Sequence, residues 1–191
     1  MNKITTFDEL YKISISIIEN KNNSFDDYSI AEMINFIRLN LDKNILNTYC
    51  IVGDIPNYIA DKFQTKTKIV KFSVDSLIKN IFEHPELTLA EYKNLTKYLN
   101  NAEYILFKNN KNLIYFKVEN KIYQFVIKKT QNSEELFITT FHKASINQLN
   151  KDIQRYEQIK RQSWLWGLEI SLCDLKSRCR DLPYQDYLLI L

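Results

Sequence analysis

Glycine is almost missing from this chain: two residues in 191, with three prolines beside them. Phosphate cradles of the P-loop and dinucleotide-fingerprint kinds need closely spaced glycines so that the backbone can approach a phosphate. With Gly53 and Gly167 as the whole supply, both are excluded, and most nucleotide-cofactor enzymes with them. Cysteine is scarce as well. Cys50, Cys173 and Cys179 show no metal-ligand spacing and no neighbouring histidine, so reduced structural thiols in a cytoplasmic compartment are expected. Histidine occurs twice, as His84 and His142, among scattered carboxylates; no ligand pattern results, and neither a metal nor another cofactor is expected. No apolar run approaches the ~20 residues a membrane span requires. The start MNKITTFDELYK also lacks a basic segment followed by an apolar core. The expectation is a cytoplasmic protein with no membrane partner, or one delivered into the cytoplasm of a target cell.

What the chain does have is apolar and aromatic mass. At 45% hydrophobic and 13% aromatic, it can bury one good core, or one core with a helical appendage. The net charge of +3 is mildly basic, compatible with a polyanion partner. Three stretches are distinguished: a helical segment over 1–49, a mixed domain over 50–145 and an apolar-rich helical segment over 146–191.

Capping signals mark the first stretch. Thr6 with Glu9, and Ser29 with Glu32, each open a run of apolar residues at helical spacing. From Tyr49 the texture changes. Cys50 to Gly53 reads as a short buried strand, IPNYIADKF as a helix, and Lys68 to Phe72 as a second strand. Ser73 then caps a helix that ends at His84-Pro85. A residue before proline is pushed out of the helical region, so His84 is expected to be held extended at the helix exit. Thr88 and Glu91 start another helix, and strands follow over 104–108, 113–118, 121–129 and 136–141. Helices first and a meander afterwards predict an α+β fold, with a small curved antiparallel sheet and helices packed on one face, flanked by N- and C-terminal helical segments.

If Glu119-Asn120 is a two-residue turn, Val118 pairs with Lys121, Phe116 with Tyr123 and Ile114 with Phe125, on an apolar face turned to the helices. Alternation then gathers Tyr115, Gln124, Lys128, Thr140 and His142 on the other face, with Phe137 and Phe141 toward the core. A slip of one residue exchanges the faces, so the deduction depends on the turn.

The series Gly53, Tyr58-Ile59-Ala60, Lys71-Phe72-Ser73, His84-Pro85-Glu86-Leu87, Tyr92, Tyr115, Tyr123, Val126-Ile127-Lys128 and Leu136 to Phe141 carries a resemblance. It resembles the phage-associated branch of the barnase, EndoU, colicin E5/D and RelE group of nucleases, known as the BECR fold. His84-Pro85-Glu86-Leu87 is its most specific piece. The resemblance implies a toxin or phage-linked effector, an endoribonuclease that needs no metal, with RNA, including transfer RNA, as substrate and a cognate inhibitor or antitoxin as partner. Where the family reads Thr-Ser-Phe-Arg, this chain has Thr139-Thr140-Phe141-His142, which keeps a hydroxyl and replaces the guanidinium.

Cleavage of RNA by its own 2′-hydroxyl needs a base, an acid for the leaving 5′-oxygen, and cationic groups around the phosphate. With an ordinary pKa near 6.5, about the midpoint of the physiological range, histidine can serve as either. The expected catalytic set is His84 as base, His142 as acid, Lys128 as charge donor and Thr140 as a phosphate hydrogen-bond donor. Tyr115, Gln124 and Tyr123 are the expected substrate-binding residues, Tyr115 by stacking on a base. Each has a plainer counterpart. His84 also suits a helix C-terminus, and a nuclease-like module that binds RNA or a protein partner without cleaving is the alternative from another class.

Overall fold

The protein is described by a computed structural model, in which residues 3, 4, 6–22, 28–109 and 111–159 are placed. Helix α1 (Phe7–Asn22) begins where Glu9 N–H donates to Thr6 Oγ1 at 3.3 Å and Thr6 N–H donates to Glu9 Oε2 at 3.4 Å. Helix α2 (Ile30–Asn40) carries the full Ser29/Glu32 capping box. The short α3 (Lys43–Leu46) leads into β1 (Tyr49–Asp54), α4 (Asn57–Phe63) and β2 (Ile69–Ser73). Without a loop, β2 becomes α5 (Val74–Glu83), because the Ser73 side chain accepts the Ser76 N–H at 3.2 Å and caps the helix. Thr88 and Glu91 form a second complete capping box for α6 (Leu89–Lys93), after which α7 (Leu95–Asn100) follows at Asn94. The remaining elements are β3 (Tyr104–Asn109), β4 (Asn112–Val118), β5 (Ile122–Lys129), β6 (Leu136–Ala144), α8 (Ile146–Arg155) and β7 (Glu157–Gln158).

The strands form one seven-stranded sheet in the order β1-β2-β6-β5-β4-β3-β7. The fold is α+β and the pairing is antiparallel throughout except between β2 and β6, which run parallel through Val70 opposite Leu136 and Lys71 opposite Phe137. The main core lies on one face. There α1, α2, α5, α6 and α7 cover Leu113, Tyr115, Phe125, Ile127, Ile138 and Phe141 of the sheet, and Leu10, Ile37 and Leu46 from the first three helices join the same cluster. The N-terminal helices therefore share the core of the sheet, and the chain up to Ile159 is one compact unit. The opposite face is apolar at one end. Leu106, Ile114, Phe116 and Leu149 bury together there, under α8. The expected continuation of α8 to Ile159 is not observed: the helix ends at Arg155, and Ile159 N–H donates to Ile105 O at 2.8 Å beside β3. The expected helical, apolar-rich run from Trp164 to Leu191 lies outside the described residues.

Between β4 and β5 the register differs by one residue from expectation. Val118 pairs with Ile122, Phe116 with Gln124 and Tyr115 with Phe125. A two-residue turn of the kind that closes tight hairpins needs positive φ in its centre. Among the described residues only Gln64, Ser133 and Gly53 have it, so the connection lengthens to Glu119-Asn120-Lys121. That slip carries Tyr115 onto the core face and Ile114 and Phe116 onto the other, while Tyr123 and Phe125 keep the core face expected of them. In β6 a bulge at Thr139, where the register jumps from Thr140 opposite Val126 to Ile138 opposite Ile127, lets Ile138 and Phe141 both reach the core. Thr140 and His142 consequently stay on the second face, as expected, whereas Phe137, paired with Lys128, does not join the core.

Candidate active site

Two local devices bring the histidines together. His84 is the C-cap of α5, with its N–H donated to Asn80 O at 2.8 Å and its backbone at φ −135°, ψ 61°. Pro85 forbids the helical conformation there and turns the chain outward. His142 stands on β6 opposite Gln124. The two elements are held side by side by Asn80. Past Phe137, β6 has lost β2 as a partner on that edge, and Asn80 takes its place. Its Oδ1 accepts the Phe141 N–H at 2.6 Å, and its Nδ2 donates to Ser76 O at 2.7 Å and to Thr139 O at 3.4 Å. One turn beyond this clamp, the imidazoles of His84 and His142 stack with centroids 4.9 Å apart and planes 21° from parallel.

The two rings sit in unequal surroundings. His142 Nδ1 is buried with no hydrogen-bond partner among the described residues. Burial lowers its pKa below the ordinary histidine value, and charge on His84 lowers it further, against smaller opposite effects of Glu86 and Asp152. His84 instead has a carboxylate beside it, with Nδ1 3.7 Å from Glu86 Oε1. Close stacking disfavours two charged rings at once. Burial and the neighbouring ring thus both favour the neutral form of His142.

The loop that carries Glu86 is fastened to β6 from the other side of the sheet. Lys143 Nζ donates to Glu86 O at 2.6 Å and pairs with Glu91 Oε1 at 3.1 Å, and the Tyr123 hydroxyl donates to the same carboxylate at 2.9 Å. Burial alone would raise the Glu91 carboxyl. Hydrogen bonds from the Thr88 backbone, Tyr123, Lys143 and the Thr88 hydroxyl outweigh it and hold the group at about 2, below the ordinary 4.5. A lowered carboxylate contributes stability that is complete above its unfolded value and is lost as pH falls through the folded one. Glu91→Gln is thus expected to cost about 2 kcal/mol at neutral pH. The urea midpoints of the two proteins then converge as pH is lowered from 4.5 to about 2; a gap of constant size over that window would count against this role.

Of the expected catalytic residues, the structure brings His84 and His142 into contact and leaves Thr140 on the same face. Lys128 is separate. Since His142 is opposite Gln124, Lys128 is four residues further along β5, roughly 13 Å from the imidazoles. It lines a cleft of about 890 Å³ whose walls also include Ser73, Ser76 and Thr139 but neither histidine.

The three expected substrate-binding residues are corrected. Tyr115 is fully buried, stacked on Phe125 at 5.0 Å in the main core, where no base can reach it. Tyr123 is on that same face, where the expected hairpin also puts it, 5% exposed and stacked on Tyr98 at 4.7 Å. Gln124 is on the expected face but lies beneath α8, where its Nε2 donates to Asp152 Oδ2 at 3.2 Å. Gln148 Nε2 donates to the same oxygen at 2.9 Å. Asp152, Asn80, Glu91 and Lys143 were not anticipated as parts of the site. All four act across distant elements, and the capping box at Thr88 was the one signal that marked Glu91.

Among the described residues, no group of three or more His, Cys, Asp or Glu side chains is placed to hold a metal ion. Cys50 is buried, its thiol pushed up to about 12 by desolvation; Cys173 and Cys179 lie outside the described residues. No described helix is long and apolar enough to cross a membrane. Compared with known proteins, the chain matches no family model, no curated protein and no solved structure.

Proposed function

We propose that the chain is an endoribonuclease, a toxin or phage-linked effector, that cleaves RNA by 2′-hydroxyl attack without a metal. The observation that carries the reading is the stacked pair of imidazoles in unequal surroundings. One neutral and one protonated imidazole at one locus are what in-line transesterification uses: a base for the 2′-hydroxyl proton and an acid for the departing 5′-oxygen. The roles expected from sequence are exchanged in this proposal. His142, kept neutral by burial, accepts the proton, and His84, beside the Glu86 carboxylate, donates one to the leaving group. Thr140, on the same face, supplies a hydroxyl to a phosphate oxygen. The phosphate approaches the edges of the rings, because stacked rings 4.9 Å apart leave no room between them.

Purified protein incubated with total and transfer RNA in excess EDTA is expected to give discrete fragments ending in 2′,3′-cyclic phosphate, and a His84→Ala/His142→Ala protein none. Intact RNA with folded wild-type protein overturns the proposal. One observation favours a second reading, an RNA-binding module that does not cleave: the lysine-bearing cleft stands apart from the imidazoles.

A further inference from the structure

The cleft of about 890 Å³ is rich in cations. Five basic side chains line it, Arg38, Lys43, Lys111, Lys128 and Lys129, against two carboxylates, Asp75 and Glu135. Both carboxylates are already engaged. Asp75 takes a two-pronged pair from Arg38, at 2.7 and 3.0 Å, and Glu135 pairs with Lys71 at 2.8 Å. Lys129 is engaged as well, its buried ammonium donating to Phe63 O at 2.6 Å and Gln64 O at 3.3 Å. That leaves Lys43, Lys111 and Lys128, three exposed ammonium groups with no ion pair among the described residues. They are contributed by α3, the β3–β4 turn and β5, elements from different parts of the chain. Three unneutralised cations around one concavity raise the local concentration of anions and favour a ligand with several negative charges.

The cleft also has a direction. Ser73 and Ser76 line it at the start of α5, and Phe137 and Thr139 line it from β6. The same helix ends at His84, eight residues past Ser76 and about 12 Å along its axis. The same strand reaches His142 three residues past Thr139, about 10 Å on. Cleft and imidazoles are therefore two stations along one seam, where α5 borders β6.

We infer that Lys43, Lys111 and Lys128 form a backbone-binding subsite for single-stranded RNA, which holds phosphates one or two nucleotides away from the phosphate at the His84–His142 pair. The choice of RNA as the polyanion rests on the function proposed above. The three free ammonium groups and the shared seam do not. The half-buried Phe137 ring at the β6 wall offers an apolar surface for a base, of the kind single strands use for stacking. Lys128, expected to neutralise charge at the reacting phosphate, acts here on a neighbouring one.

The test is fluorescence anisotropy of the full chain with a fluorescein-labelled 2′-O-methyl hexauridylate, which binds but cannot be cleaved, over a series of salt concentrations. Each phosphate neutralised on a single strand contributes about 0.7 to the slope of log K against log salt. Replacing all three lysines (Lys43→Ala/Lys111→Ala/Lys128→Ala) is therefore expected to flatten the slope by about 2 and weaken binding at least tenfold. Folding of this variant is checked by circular dichroism. A 2′-O-methyl diuridylate, too short to span both stations, is expected to show little dependence on the lysines when it occupies the imidazoles. His84→Ala is expected to keep the lysine-dependent part of the slope. Lysine-dependent binding in a protein that never cleaves RNA would uphold the subsite and sink the nuclease. Unchanged slope and affinity in the triple variant would overturn the subsite, even if the wild type cleaves.

Discussion

Asn80→Ala is expected to lower the free energy of unfolding by about 3 kcal/mol, the range for leaving a buried polar group without its partner. Asn80 is completely buried, yet it sits on a helix surrounded by apolar neighbours. Its amide substitutes for a strand, since it satisfies the Phe141 N–H and the Thr139 carbonyl on the edge of β6 that β2 has left. Truncation to alanine strands both groups away from water and opens a small cavity. Asn80→Asp is expected to be at least as harmful, because it keeps the acceptor for Phe141 but faces two carbonyl oxygens with a charge that cannot donate. Equilibrium urea unfolding followed by far-ultraviolet circular dichroism measures both. A loss below about 1 kcal/mol for both variants would show that water replaces the amide and that the edge is not sealed. The consequence for function follows from position: Asn80 ties the helix that ends in His84 to the strand that carries His142, so its loss also loosens the stacked pair.

The elements that could be read from sequence are those whose cause is local. Thr6/Glu9, Ser29/Glu32, Ser73 and Thr88/Glu91 cap their helices as expected, because a capping hydrogen bond spans only three residues. The departure of His84 from the helix is equally local, being imposed by Pro85. The register of β4 on β5 was not legible. The two-residue and three-residue turns differ only in backbone conformation at Glu119 to Lys121, and a shift of one residue carries every side chain to the other face. This misplaced Ile114, Tyr115 and Phe116, whereas Tyr123 kept the core face expected of it. Thr140 and His142 stayed on the expected face because the bulge at Thr139 reset β6 after Phe137 had departed from its expected side. Asn80 was invisible for a different reason. An asparagine inside a helix reads as an ordinary polar position, and its partners lie 59 and 61 residues away. The same holds for Lys143 and Asp152, whose roles exist only once β6, α8 and the loop after α5 are assembled.

The largest functional effect is expected from the two histidines, and pH separates their roles. A base works only when neutral, so its titration gives the rising acidic limb of a plot of log kcat/KM against pH; an acid works only when protonated and gives the falling alkaline limb. Removing either group is expected to lower kcat/KM by about a hundredfold to ten-thousandfold. In His142→Ala the acidic limb flattens, and because burial lowers the pKa of His142, the wild-type limb lies below the ordinary histidine range. In His84→Ala the alkaline limb flattens instead. Glu86→Gln removes a carboxylate that raises the His142 pKa, so the acidic limb is expected to move to still lower pH. The reverse pattern, with His84→Ala flattening the acidic limb, would restore the roles expected from sequence and show that burial of His142 in the free protein does not decide which ring accepts the proton. Retention of both limbs at full rate in both variants would take the imidazoles out of the chemistry and leave their stacking as a contact between α5 and β6.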